Sequence, residues 1–356
     1  MTSKPPAAMD FFSHQDTARR KTGLLVALMS LAVVSMIGIT VAAVVLTLAF
    51  FDGNLPQGVP LGQRLAYAWS MMDVNMAATI ALGVGGLVLL GSLYKRFQLR
   101  AGGRAVAESL GARKLVPDSP SLTHEEQQLL NIVREMALAA SMPTPDVYLM
   151  DDDAINAFAA GRKPEDAVIG VTRGCIMRLD REGLQGVIAH EFSHIVHGDM
   201  RMNLRLVAAL HGILLIGLAG YYLLRVAPLR RRTSSKDNSA LVMMVIALVL
   251  IVIGFAGTFF GNLIKAAISR QREYLADASA VQYTRNPNGI TKALKSIGAS
   301  ASGSRLAATH APDFSHMFFG EAVGGAFMSL LATHPPIQDR IKRLEPGWDG
   351  TFPTQG

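Results

Sequence analysis

Four long apolar runs constrain this chain more than any other feature: Gly23–Phe51, Val74–Tyr94, Leu204–Leu224 and Ala240–Leu263. A helix needs about 20 mostly apolar residues to cross the hydrocarbon core of a bilayer, and each run reaches that length. Half of the 356 residues are hydrophobic and 17% are charged, a balance too apolar for an ordinary soluble domain of this size. The first run is longer than the apolar region of a signal peptide and lacks a clear cleavage site, so it reads as an uncleaved anchor.

Charge sets the orientation. The formal net charge is +7, and basic residues crowd the ends of the apolar runs: Arg19, Arg20 and Lys21, then Lys95, Arg96, Arg100 and Arg104. That placement suits anionic lipid headgroups and the positive-inside rule, and points away from nucleic acid. Both ends of the first pair of runs are therefore expected in the cytoplasm, with Asp52 to Asp73 outside. The stretch between the third and fourth runs breaks the rule with Arg225, Arg230, Arg231, Arg232 and Lys236. Either the flanking soluble segments dictate topology, or the third and fourth runs form a re-entrant hairpin. In both cases the chain returns to its starting side.

The expected fold is an α-helical integral membrane protein with about four membrane helices and a small α+β catalytic domain. The division reads as 1–22, an N-terminal cytoplasmic tail; 23–94, a two-helix anchor; 95–202, the first part of the catalytic domain; 203–263, a membrane hairpin; 264–345, its second part; and 346–356, a tail. Within 95–202, Thr123 and Glu126 form a capping box before an apolar helical repeat running from Leu129 to Ala140. Short β-prone pieces follow at Val147–Met150, Ile155–Ala159, Ala167–Val171 and Cys175–Leu179, separated by Gly and Pro. Asp180 caps the next helix. Further helical patterns lie around Ile290–Ile297 and Glu321–Leu331. The single cysteine, Cys175, excludes an internal disulfide and a thiolate metal cluster, so any metal site must use His, Glu and Asp.

The helix capped by Asp180 carries "VIAHEFSHIVHGDM", Val187 to Met200. Positions i and i+4 share a helical face about 6 Å apart, so His190 and His194 can both present a ring nitrogen to one Zn²⁺. Glu191, on the flank, is within reach of the proton of an attacking water. Chance alone produces such a pattern in roughly one chain in a hundred, so a third ligand is needed. "REYLADASA", Arg272 to Ala280, supplies Glu273 and Asp277 one turn apart. Glu273 can ligate the metal and Asp277 can fix the tautomer of a ligating histidine; the competing reading is a solvated acidic pair. His197 is a poor third ligand, because three histidines on one straight helix enclose a zinc poorly. His211 lies inside the third run, about 25 Å along the helix from His194, and reads as a polar contact between membrane helices.

"HEFSH", "REYLADASA", "INAFAAG" and "THPPIQDRI", set around these runs, together resemble the HtpX-like membrane zinc metalloproteases, relatives of the CAAX prenyl endoproteases. The resemblance covers Met1 to about Leu344. It implies a zincin-like catalytic domain with one Zn²⁺ per chain held by His190, His194 and Glu273, and Glu191 as general base. It further implies Asp277 as the partner of a ligating histidine, His334 as the group that stabilises the oxyanion, and Arg340 as a brace acting through Glu273. Asn156, Ala157, Phe158 and Ala159 resemble an edge strand that pairs with an extended substrate. The expected activity is zinc endopeptidase action in membrane-protein quality control, at a bacterial inner membrane with a cytoplasmic active site. Expected partners are membrane lipids, unfolded or misassembled membrane-protein substrates, and a membrane partner or second copy. The competitors are a catalytically silent scaffold, against which the intact Glu191 argues, a metal-regulated transporter, for which the runs hold too few polar groups, and a processing protease for one substrate, such as a lipidated protein. Where relatives continue further, a region beyond residue 356 is expected.

Overall fold

A computed structural model describes residues 11–51, 59–70, 73–100, 102–226, 239–300, 319 and 331–353. The elements begin with α1 (Phe11–Phe50), α2 (Leu61–Ser70), α3 (Val74–Gln98) and α4 (Gly103–Ser109). Next come β1 (Arg113–Lys114), α5 (His124–Ala139), β2 (Asp146–Met150), β3 (Ala157–Ala160) and β4 (Val168–Thr172). The remainder is helical: α6 (Arg173–Arg178), α7 (Arg181–Val196), α8 (Asp199–Val226), α9 (Ser239–Thr284), α10 (Pro287–Ala299) and α11 (Ile337–Leu344). Two compact units result: Met1–Leu25 with Arg100–Asn203 and Lys265–Gly356, and Val26–Leu99 with Leu204–Ile264.

The second unit is built from apolar helices. Among the described residues, four helices are long and apolar enough to cross a membrane. Their large apolar side chains remain uncovered, with Leu82 77% and Phe260 61% exposed, which water would penalise and lipid does not. Close approach replaces the hydrophobic effect as the source of helix association here. Gly217 and Gly254 meet so tightly that a Cβ on Gly254 would lie 2.1 Å from the Gly217 nitrogen. Thr40, Thr47 and Ser92 return their hydroxyl protons to carbonyls one turn back, at 2.7–2.8 Å, leaving no donor unmet. The first helix starts at Phe11, so residues 11–22 of the expected N-terminal tail are helical. Gln15 accounts for part of this by donating 2.7 Å to Gln282 on α9. The short α2 was not expected.

The first unit carries the chemistry. Thr123 accepts from the Glu126 amide and Glu126 accepts from the Thr123 amide, closing the capping box that starts α5. The sheet order is β1-β2-β4-β3, with β2 parallel to β4 and β3 antiparallel to it, so β3 is an edge strand. The core joins Leu129, Ile132 and Val133 of α5 to Ile169 and Val171 of β4, Val187, Ile188 and Phe192 of α7, and Ala293 and Leu294 of α10. One β-prone piece is corrected: Cys175–Leu179 is not a strand, because Thr172 accepts from the Cys175 amide and caps α6. The Glu321–Leu331 helical pattern lies outside the described residues.

Asp180 accepts from the Gly183 amide at 2.8 Å and starts α7 where expected. Gly186 lets α7 lie backbone to backbone on α10, since a Cβ there would sit 2.4 Å from the Ile290 nitrogen. Gly186→Leu should therefore lower unfolding stability by about 1–3 kcal/mol through overpacking, read from the unfolding midpoint in detergent micelles. Cys175 is fully buried, and burial pushes its thiol well above the usual range. In the folded protein it should resist a maleimide that labels it rapidly after denaturation.

Candidate metal centre

The central turns of α7 and the C-terminal part of α9 meet inside the first unit. On α7, His190 and Glu191 are fully buried, and the His194 side chain is 15% exposed. One potential ligand atom from each of His190, His194 and Glu273 lies within 4.8 Å of the others. His190 Nε2 is 3.7 Å from Glu273 Oε2, and His194 Nε2 is 3.4 Å from Glu273 Oε1. The two Nε2 atoms face each other at 3.1 Å.

Each imidazole is oriented from behind. His190 Nδ1 lies 2.9 Å from Asp277 Oδ1, and His194 Nδ1 lies 2.7 Å from Asp199 Oδ2. A carboxylate only accepts, so both Nδ1 atoms carry protons and both Nε2 atoms turn inward. Arg340 secures the first carboxylate by donating from Nε at 2.9 Å and from Nη2 at 2.6 Å to Asp277. Its Nη1 donates to the Phe319 carbonyl at 3.0 Å and lies 3.4 Å from Glu273 Oε2. The brace expected at Arg340 therefore acts chiefly on Asp277, with Glu273 a secondary neighbour.

Burial governs the electrostatics. It holds the fully enclosed His190 imidazole at about 4, so this ring is neutral at ordinary pH. It also pushes the Glu191 carboxyl up to about 8, and the nearby negative charge of Glu273 adds to that rise. The Ala159 amide lies near enough to favour charged Glu191, yet neither Glu191 oxygen has a hydrogen-bond partner among the described residues. Against the cost of burial, Asp199 and Glu273 hold His194 well above the usual value.

These residues fit a divalent cation. Among the described residues, both Glu191 oxygens, Glu273 Oε2 and both His334 ring nitrogens are buried without hydrogen-bond partners. Such orphans are rare in native interiors and mark a place where another group completes the bonding. His334 Nδ1 is 3.0 Å from Glu273 Oε2 but without hydrogen-bond alignment. Two imidazoles and a carboxylate suit a divalent cation and leave a coordination position for chemistry.

The remaining expected residues sit nearby or apart. In β3 and its approach, Asn156, Ala157 and Phe158 are fully buried and Ala159 is 4% exposed. The Ala157 carbonyl accepts a backbone N–H from Phe319 at 2.7 Å. Phe319 also sets its ring edge-on to His190, 4.8 Å between centroids. His197 stands outside the ligand cluster; its Nδ1 lies 2.9 Å from Ser193 Oγ and its Nε2 3.3 Å from Arg19 Nη2.

Sequence reasoning missed Asp199, Arg272 and Phe319. Along a continuous helix, Asp199 would sit about 140° around the axis from His194. Gly198 instead adopts a φ of 68°, ends α7 and swings the next residue back under the imidazole. The Gly-Asp pair directly after the motif was the available signal.

The pattern of Peptidase family M48 matches residues 123–346, which contain the whole cluster. The chain belongs to Peptidase family M48. A "Protease HtpX homolog" of Streptococcus uberis is 37% identical over 292 residues, covering 79% of this chain and 93% of the relative. The homolog of Thermoanaerobacter pseudethanolicus is 38% identical, covering 74% and 85%. That of Dictyoglomus thermophilum is 41% identical, covering 61% and 68%. A crystal structure of S. mikatae Ste24p covers 97% of this chain and 92% of its own at 14% identity, with a TM-score of 0.39 that carries no conclusion. This M48 protein is thus a membrane metalloendopeptidase, mostly helical with a small sheet-bearing domain, and it acts on protein substrates.

Arg340 is 1% exposed and neutralises two buried carboxylates. Arg340→Ala should cost the metal-free protein about 3–5 kcal/mol. Arg340→Lys should recover only part, since an ammonium cannot reproduce the fork. Chemical denaturation in detergent reads both.

Proposed function

We propose that this M48 protein is a zinc endopeptidase that hydrolyses membrane proteins in quality control, working at the cytoplasmic face of a bacterial inner membrane. The observation that carries the reading is the convergence of His190, His194 and Glu273 beside a buried Glu191 carboxyl with no hydrogen-bond partner among the described residues. His190, His194 and Glu273 hold one zinc. A zinc ion there supplies a Lewis acid that polarises the scissile carbonyl and acidifies the attacking water.

Glu191 takes a proton from that water as its oxygen bonds to the carbonyl carbon. The same carboxyl then returns the proton to the departing amine as the C–N bond breaks. His334, whose Nδ1 lies 3.0 Å from Glu273 Oε2 and whose Nε2 has no hydrogen-bond partner among the described residues, donates from Nε2 to the oxyanion. Asp277 and Arg340 keep His190 and Glu273 in place. Asn156 to Ala159 hold the substrate as an added strand, a role supported by the backbone donor that Ala157 already accepts from Phe319. Main-chain pairing makes recognition tolerant of sequence, as a quality-control protease requires.

Lipids surround the apolar helices, and damaged or misassembled membrane proteins are the substrates. Basic residues flanking the apolar segments support cytoplasmic placement of the site.

Glu191→Gln removes the proton acceptor and keeps the shape. Zinc-loaded variant and wild type should bind equal metal, and the variant should lose at least about 1000-fold in cleavage of a detergent-solubilised membrane protein, the scale of a lost acid–base group. Equal cleavage by both would remove Glu191 from the reaction.

A further inference from the structure

We infer that Asp199 is a positioning residue of the metal centre, locking His194 and, through Arg272, the helical turn that presents Glu273. This rests on His190, His194 and Glu273 being the ligands.

The cluster contains two matching chains. In one, His190 meets Asp277, and Asp277 meets Arg340. In the other, His194 meets Asp199 through Oδ2, and Asp199 Oδ1 meets both Nε and Nη2 of Arg272. Asp199 is 3% exposed and Arg272 9%. Arg272 immediately precedes Glu273 on α9, and its Nη2 also donates to the His197 carbonyl at 3.2 Å, at the C-terminal end of α7. One carboxylate thus joins the end of α7, the start of α8 and the ligand-bearing turn of α9, all within the first unit.

The plain alternative is an acidic residue stabilising the N-terminus of its own helix. Its geometry is different. Both Asp199 oxygens are spent on side chains of other elements, and neither accepts from an α8 amide among the described residues. A buried carboxylate of this kind fixes the imidazole tautomer, raises ligand basicity and removes rotational freedom before the ion arrives. The Arg272 guanidinium offsets the cost of burying this carboxylate.

The test is zinc affinity of the full-length, detergent-purified protein, measured against a competing chelator, with the visible absorption of the Co²⁺-substituted protein as a report on ligand geometry. Asp199→Ala should weaken zinc binding 10–100-fold and shift the Co²⁺ bands. Asp199→Asn, which can still accept from His194 but cannot neutralise Arg272, should fall between, and it carries the test if the alanine variant fails to fold. Arg272→Ala combined with Asp199→Ala should weaken binding by less than the product of the single effects. Arg173→Ala, which removes exposed pairs with Asp151 and Asp153, serves as a control and should change nothing. Wild-type affinity and an unshifted Co²⁺ spectrum in both Asp199 variants would overturn the assignment. If His190→Ala binds zinc as tightly as wild type, the ligand set itself is wrong and the Asp199 role falls with it.

Discussion

Everything in this site depends on holding ionised and polar groups together in a dry interior. Glu273, Asp277, Asp199, Arg272 and Arg340 are each less than a tenth exposed. Isolated, any of them would cost several kcal/mol or lose its charge. They persist because each carboxylate faces an imidazole on one side and a guanidinium on the other. That pairing turns both histidine Nε2 atoms inward and leaves the Glu191 oxygens as the unmatched acceptors beside them.

The backbone serves the same end. Asp180 caps α7, Gly186 lets that helix rest on α10, and Gly198 ends it where Asp199 must turn back. The turn that carries Glu273 lies on α9, a single 46-residue helix that also includes one of the four long apolar segments among the described residues. A rigid helix carries its side chains at fixed angles, so Glu273 and Asp277, one turn apart, reach the two jobs of facing the cluster and facing His190 from one surface. The edge strand β3, which accepts a backbone donor from Phe319, lies alongside.

Much of this was legible because it follows local periodicity. The apolar runs announce themselves by length. The Thr123–Glu126 box and the Asp180 cap are short-range signals, and i, i+4 spacing brings His190 and His194 to one face. Harder features depended on departures from periodicity. Thr172 turned an apolar β-prone piece into α6 by capping it. Gly198 redirected Asp199 in a way that helical spacing denies. Phe319 reaches the edge strand from a distant part of the chain, and nothing local marks it. Arg340 could be anticipated as a brace, but its preference for Asp277 over Glu273 is a matter of packing between α11 and α9.

The central claim is that two imidazoles and one carboxylate make the metal site. X-ray absorption at the zinc edge of the purified, zinc-loaded protein tests it most directly. The account predicts two imidazole ligands with oxygen filling the rest of the shell, and one imidazole fewer in His194→Ala. A sulfur ligand, or three imidazoles bringing in His197 or His334, would contradict it.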